Sequence, residues 1–74
     1  MEIEVRLFAS FREGRFPQAR MEVESGTNLA GVVEGLGIHL PEVGILLVNG
    51  RHAAPEQKLE EGDSVALFPP IAGG

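Results

Sequence analysis

Two stretches near the start of the chain alternate between apolar and polar side chains. The first spans residues 2–9, and the second spans residues 19–24. Their apolar positions are Ile3, Val5, Leu7 and Ala9, then Ala19, Met21 and Val23. A period of two is typical of a strand that buries one face. Because Gly14 and Pro17 lie between the stretches, we expect a long loop that joins two strands of an antiparallel hairpin.

The next segment has the period of a helix. One helical face is apolar, with residues at positions i, i+3, i+4 and i+7: Leu29, Val32, Val33 and Leu36. Thr27 is the expected N-cap, because its hydroxyl group can satisfy the first free backbone N–H groups. Gly37 is the expected C-terminal stop. Gly31 and Gly35 each weaken the helix by about 0.5–1 kcal/mol relative to alanine, so we expect packing on a sheet to hold it.

Two more strands and a turn follow the helix. Residues 44–48 are a continuous apolar run, which suits a strand that is covered on both faces or lies centrally in its sheet. Asn49-Gly50 then predicts a tight turn into a short return strand at residues 51–53. Leu59 is the one large apolar residue of residues 54–60, and we expect it to fill the core.

A last strand is predicted from Ser64 to Phe68, after a turn at Glu61-Gly62-Asp63. Val65 and Leu67 face one way, and Ala66 and Phe68 face the other. The element order is therefore strand, strand, helix, strand, short strand, strand. This order predicts a small α+β domain with one helix packed across a mixed sheet of four to five strands.

The chain after Phe68 is predicted to leave the sheet. Pro69 and Pro70 have no N–H group to donate to a ladder, and residues before proline favour extended conformations. Six extended residues reach on the order of 20 Å. The last two residues, Gly73 and Gly74, have no side chains. We therefore divide the chain into a domain, residues 1–68, and a projecting tail, residues 69–74, that another protein's active site can accept.

Composition narrows the function classes. The 74 residues carry a net charge of −5 and contain no cysteine. This balance disfavours nucleic acid as a partner and excludes a cysteine nucleophile or thiolate metal site. No apolar run approaches the roughly 20 residues of a membrane span, and we expect a cytoplasmic protein. His39 and His52 have no ligand spacing, so we expect no metal site and no catalytic residues of the chain's own.

Several segments resemble the MoaD and ThiS sulfur carriers, which have the β-grasp, or ubiquitin-like, fold. The ending is the most specific part of the resemblance. The matching segments are residues 5–13 (VRLFASFRE), 48–50 (VNG), 59–66 (LEEGDSVA) and 68–74 (FPPIAGG). One departure lies between residues 37 and 45, where the chain is shorter than MoaD-like chains and a second helix is missing.

The resemblance implies that the Gly74 carboxylate is adenylated by an E1-like adenylyltransferase that uses ATP, and is then converted to a thiocarboxylate. In the MoaD-like case, the tail inserts into the large, catalytic subunit of molybdopterin synthase and donates sulfur. The chain itself would bind no cofactor. Gly73, Ala72 and Ile71 would form the inserted tail. The residues implied on or near the docking surface are Phe8, Arg12, His52 and Phe68.

Three other functions stay open at this stage. A ThiS-like carrier would deliver sulfur to thiazole synthesis, and a ubiquitin-like modifier would join Gly74 to lysines of target proteins. A plain interaction domain would have an inert tail. The strand alternation independently places Phe8 and Phe68 away from the apolar core face, whereas Arg12 is equally well explained as a solvated loop charge.

Overall fold

The computed structural model describes residues 1–70. Predictions about Ile71, Ala72, Gly73 and Gly74 lie outside the described residues, and the division of the chain at residue 68 stays a prediction. The helices and strands are β1 (Glu2–Leu7), β2 (Gln18–Glu22), α1 (Leu29–Gly35), β3 (Ile45–Val48), β4 (Arg51–His52) and β5 (Ser64–Phe68), with 3₁₀ helices at Ala9–Arg12 and Leu40–Glu42.

The five strands form one sheet in the order β2-β1-β5-β3-β4. β1 pairs antiparallel with β2 and parallel with β5, and β3 pairs antiparallel with both β5 and β4. These pairings confirm the predicted hairpin and the mixed sheet. Because β1 and β5 run in the same direction, the carboxyl ends of the first and last strands lie at the same edge of the sheet.

One face of the sheet is buried by α1. The fully buried side chains come from both layers: Ile3, Val5, Leu7, Leu29, Val32, Val33, Val65 and Leu67. Leu59 is 4% exposed and belongs to the same core, as predicted. Within residues 1–70, no polar or charged side chain is buried. The face opposite the helix therefore carries the polar and the partly exposed apolar side chains of the sheet.

β1 is shorter than the alternation predicted. It ends at Leu7 rather than Ala9, because Ala9 has a φ of +53° and begins a 3₁₀ helix. That helix turns Phe11 into the core, where the side chain is 7% exposed. A period of two could not reveal this turn, since Ala9 is small enough to continue the pattern.

The helix begins one residue later than predicted. Asn28, not Thr27, is the N-cap, and its side-chain oxygen accepts a 2.8 Å hydrogen bond from Gly31 N–H. The Thr27 hydroxyl group instead donates to Glu24 O. Gly37 has a φ of +77°, which confirms it as the residue that ends the helix. Both caps are short-range signals, and two adjacent capping residues in the sequence made the N-terminal choice ambiguous.

The second half of the chain follows the prediction. Asn49 and Gly50 have φ values of +53° and +80°, as the predicted tight turn requires. β3 lies between β5 and β4, which confirms the alternative of a strand that lies within the sheet rather than one covered on both faces. Ile45 and Leu47 are half-buried, whereas Leu46 and Val48 pack with the core. The segment between α1 and β3 contains a single 3₁₀ helix in place of a second α-helix.

Arg15 connects the loop after β1 to the end of α1. Its guanidinium donates to Leu36 O at 3.0 Å, to Gly37 O at 3.3 Å and to Phe11 O at 3.3 Å. The last carbonyl groups of a helix have no partner within the helix, and a basic side chain can satisfy them. This side chain therefore holds the short helix against the loop that supplies Phe11.

We predict that Arg15→Gln lowers the free energy of unfolding by about 1–2 kcal/mol, because charge-assisted hydrogen bonds to helix-terminal carbonyl groups are lost. Arg20→Gln is the matched control. Arg20 Nη1 lies 3.7 Å from Glu2 Oε1 and the side chain is 76% exposed, and a pair of that kind contributes about 0–1 kcal/mol. Urea unfolding followed by circular dichroism measures both variants, and equal losses would contradict the assigned role of Arg15.

Candidate functional site

The carboxyl ends of β1 and β5 bring two phenylalanine rings together. Phe8 follows β1, Phe68 ends β5, and Phe8 N–H donates to Leu67 O at 3.2 Å. The two rings are stacked with centroids 4.1 Å apart and planes within 8° of parallel. Both side chains are half-buried, on the face away from the helix. The sequence placed both rings off the core face, and the parallel pairing of β1 with β5 puts them in contact.

Arg12 covers the other side of the Phe8 ring. Its guanidinium carbon lies 5.4 Å from the ring centroid, within the range of a cation–π interaction. Its Nε donates a 2.7 Å hydrogen bond to Leu7 O, which fixes the plane of the guanidinium. Arg12 therefore contacts both the Phe8 ring and the end of β1, and its side chain is exposed. The three side chains form a layered stack of Arg12, Phe8 and Phe68.

Three further apolar residues extend this surface across the sheet. Residues directly opposite each other in a ladder present their side chains on the same face. Ile45 lies opposite Phe68, and Leu47 lies opposite Ala66. All of them are half-buried. We call the set the apolar patch, and its members are Phe8, Ile45, Leu47, Ala66 and Phe68.

His52 lies on the same face but is separated from the stack. It is opposite Leu47, which is in turn opposite Ala66 on β5. Two strand spacings and two residues along the strand separate His52 from Phe68, or roughly 12 Å. The structure therefore brings Phe8, Arg12 and Phe68 into contact and puts His52 at the far margin of the apolar patch.

The other half of this face is polar. Arg6 lies opposite Ala66 on the neighbouring strand, and Gln18 lies opposite Arg6, so both continue the cross-strand row that contains Leu47 and Ala66. The Gln18 side chain donates to Glu4 Oε2. Next to them Glu4 is opposite Arg20, and Glu2 is opposite Glu22. The open face thus changes from charged at one corner to apolar at the corner where β5 ends. The tail of the chain starts at the apolar corner.

Sequence reasoning missed Ile45 and Leu47 as surface residues. The run of residues 44–48 has no alternation, and the hydrophobicity of a partner-binding face is indistinguishable in sequence from that of a second buried face. The position of the tail's first residues was also not foreseen. Gly44 N–H donates to Phe68 O at 2.8 Å, and Pro69 and Pro70 pass directly over Gly44.

Residues 1–70 contain neither a metal-binding cluster nor a membrane-spanning helix. This part of the chain has no group of three or more His, Asp or Glu side chains arranged to hold a metal ion. It also has no helix with the length and hydropathy of a membrane span.

Comparison with known proteins agrees with this geometry. The ThiS family model matches residues 5–74. Among solved structures, SAMP1 from Haloferax volcanii is 29% identical with a TM-score of 0.78, and each chain covers 100% of the other. A solution structure of another H. volcanii protein is 32% identical with a TM-score of 0.80, covering 100% of this chain and 87% of that one. No curated protein sequence matches the chain.

A third structure contains two different chains. It is the complex of subunits 1 and 2 of the molybdopterin-converting factor from Helicobacter pylori 26695, with 25% identity, a TM-score of 0.65 and full coverage of both matched chains. The fold is the ubiquitin-like β-grasp. The chain belongs to the ThiS family. Its class is that of the ThiS- and MoaD-like sulfur carriers or ubiquitin-like modifiers.

We predict that the Phe8–Phe68 stack contributes a measurable coupling energy. A double-mutant cycle with Phe8→Leu and Phe68→Leu should give about 0.5–1.5 kcal/mol from urea unfolding, as expected for aromatic pairs. The control cycle pairs Phe68→Leu with Met21→Ala. Met21 lies opposite Ile3 at the other end of the sheet and packs with the core, so this cycle should be additive within about 0.5 kcal/mol. Additive behaviour in both cycles would contradict the prediction.

Proposed function

We propose that the protein is a sulfur carrier for molybdopterin synthesis and that the Gly74 carboxylate is the group that carries the sulfur. The observation that supports this proposal is the position of the apolar patch at the root of the C-terminal tail. A partner that binds the patch would have the start of the tail beside its own surface. The remaining residues of the tail would then start close to the partner's active site.

The terminal carboxylate needs activation because an oxide ion is a poor leaving group. We propose that a carboxylate oxygen of Gly74 attacks the α-phosphorus of ATP in an E1-like adenylyltransferase, and pyrophosphate leaves. A hydrosulfide equivalent then attacks the acyl carbon and displaces AMP, which gives the thiocarboxylate. Gly73, Ala72 and Ile71 are the proposed inserted residues. The two terminal glycines keep the tip narrow enough for a tight channel.

The proposed acceptor complex is formed with the large subunit of molybdopterin synthase. The support is the H. pylori complex of the molybdopterin-converting factor, one subunit of which matches this chain over its full length. Phe8, Ile45, Leu47, Ala66 and Phe68 supply an apolar surface of the kind that interface cores use. Arg12 and His52 lie at its margin and would contact polar groups of the partner. Catalysis of each step is assigned to the partners.

A second function is favoured by a specific observation. SAMP1, small archaeal modifier protein 1, covers this chain completely, which supports a ubiquitin-like modifier whose Gly74 forms isopeptide bonds with lysines. The ThiS family model likewise supports sulfur delivery for thiazole synthesis. All these functions use an activated Gly74, and they differ in the acceptor.

We predict that removing Gly74 abolishes activation and leaves folding unchanged. The intact protein, incubated with its adenylyltransferase, ATP and a sulfide source, should gain the mass difference between sulfur and oxygen. The truncated protein should gain nothing and should unfold at the same urea concentration. Normal AMP transfer to the truncated chain would contradict the proposal. Gly-Gly remnants on lysines of other proteins would support the modifier function instead.

We also predict that the apolar patch determines affinity for the large subunit. Leu47→Lys should raise Kd at least about tenfold, equivalent to about 1.4 kcal/mol, because a desolvated cation replaces an apolar contact. Gln18→Lys is the matched control. It adds the same charge in the same cross-strand row, but in the polar half of the face. Calorimetric titration measures both variants, and an equal loss of affinity would show that the patch is not the contact.

A further inference from the structure

The backbone of Pro69 and Pro70 lies against the α-carbon of Gly44. A Cβ atom built on Gly44 would be 2.7 Å from Pro70 Cα, 2.8 Å from Pro70 N and 2.9 Å from Pro69 O. These distances are shorter than any that real Cβ atoms tolerate. All of the atoms concerned are backbone atoms, so no change of side-chain rotamer relieves the overlap. The position accepts glycine because the start of the tail occupies the space.

Backbone conformation does not explain the glycine at this position. Among residues 1–70, the glycines with positive φ are Gly14, Gly26, Gly37, Gly50 and Gly62, and Gly44 is not among them. A positive φ is therefore not what requires glycine at this position. The close approach of Pro69 and Pro70 is what requires glycine at position 44. This requirement concerns the start of the tail and not the rest of the fold.

The contact lies where the tail's direction is set. Gly44 N–H donates to Phe68 O at 2.8 Å, which is the last link of β5 to the segment before β3. Pro69 and Pro70 cannot extend the ladder, and their rings fix φ. This stiff pair therefore defines the position and the direction from which the rest of the chain continues.

We propose that Gly44 is a positioning residue that sets the direction in which the tail leaves the sheet. This inference rests on the proposed function, in which a partner that is docked on the apolar patch must receive the carboxylate of Gly74. Gly44→Ala leaves the patch residues intact and moves the root of the tail. A misplacement of about 1 Å can cost on the order of a hundredfold in rate when groups must be aligned for reaction.

The test separates docking from activation. With the adenylyltransferase and ATP, Gly44→Ala should lower the kcat of pyrophosphate release at least tenfold, with a Kd for the enzyme within twofold of the wild type. Gly35→Ala is the matched control, because a Cβ at Gly35 meets no atom within 4 Å and φ is not positive. It should retain wild-type kcat and Kd. A kcat for Gly44→Ala within twofold of the wild type would overturn the inference. A rise in Kd as large as the fall in kcat would also overturn it, because docking would then be impaired.

A second measurement does not depend on activation. The nuclear Overhauser spectrum of the wild-type protein should show a contact between the α-protons of Gly44 and the α-proton of Pro70, and Gly44→Ala should abolish or weaken it. Absence of this contact in the wild-type protein would overturn the inference even if adenylation proceeds. If the wild-type protein shows the contact and is never adenylated, the proposed function fails while the assigned geometry of the tail root stands.

Discussion

The parallel pairing of β1 with β5 is the interaction on which the rest of the structure depends. It joins residues from opposite ends of the sequence, with Val5 opposite Val65 and Leu7 opposite Leu67, and all four side chains are fully buried. Parallel strands need a long connection, and here β2, α1, β3 and β4 all lie within it. The same pairing puts the ends of both strands at one edge. Phe8 and Phe68 stack there as a consequence, and the tail begins there.

The two faces of the sheet differ in burial, and the proposed recognition surface lies on the less buried face. The core face contains the fully buried residues, whereas the apolar patch contains half-buried side chains that the core cluster does not include. Substitutions on the patch therefore remove little of the buried area that opposes chain entropy. Asn49 connects β3 to the other end of β5 through two hydrogen bonds. Its side-chain amide donates to Asp63 Oδ1, and its side-chain oxygen accepts from Ser64 N–H. These hydrogen bonds stabilise the sheet at the start of β5, away from the corner that the partner would contact.

Particular residues show what the sequence could and could not predict. Short-range patterns predicted β5 with its observed bounds, the Asn49-Gly50 turn and the core role of Leu59. These patterns extended β1 to Ala9, where the chain makes a left-handed turn instead. They also left open whether the strand that contains Ile45 is covered on both faces, which depends on tertiary structure. The stack of Arg12, Phe8 and Phe68 needs the register between strands that are distant in sequence. No local pattern contains that register.

The root of the tail follows from the same register. β3 pairs with β5 as far as Ile45 and Phe68, so the next residues along, Gly44 and Pro69, meet where the ladder must end. A residue other than proline at position 69 could have prolonged the pairing and held the chain on the sheet. Proline stops the ladder, and glycine opposite it leaves room for the backbone to cross. The two residues therefore act together: one releases the tail from the sheet, and the other determines the path by which it leaves.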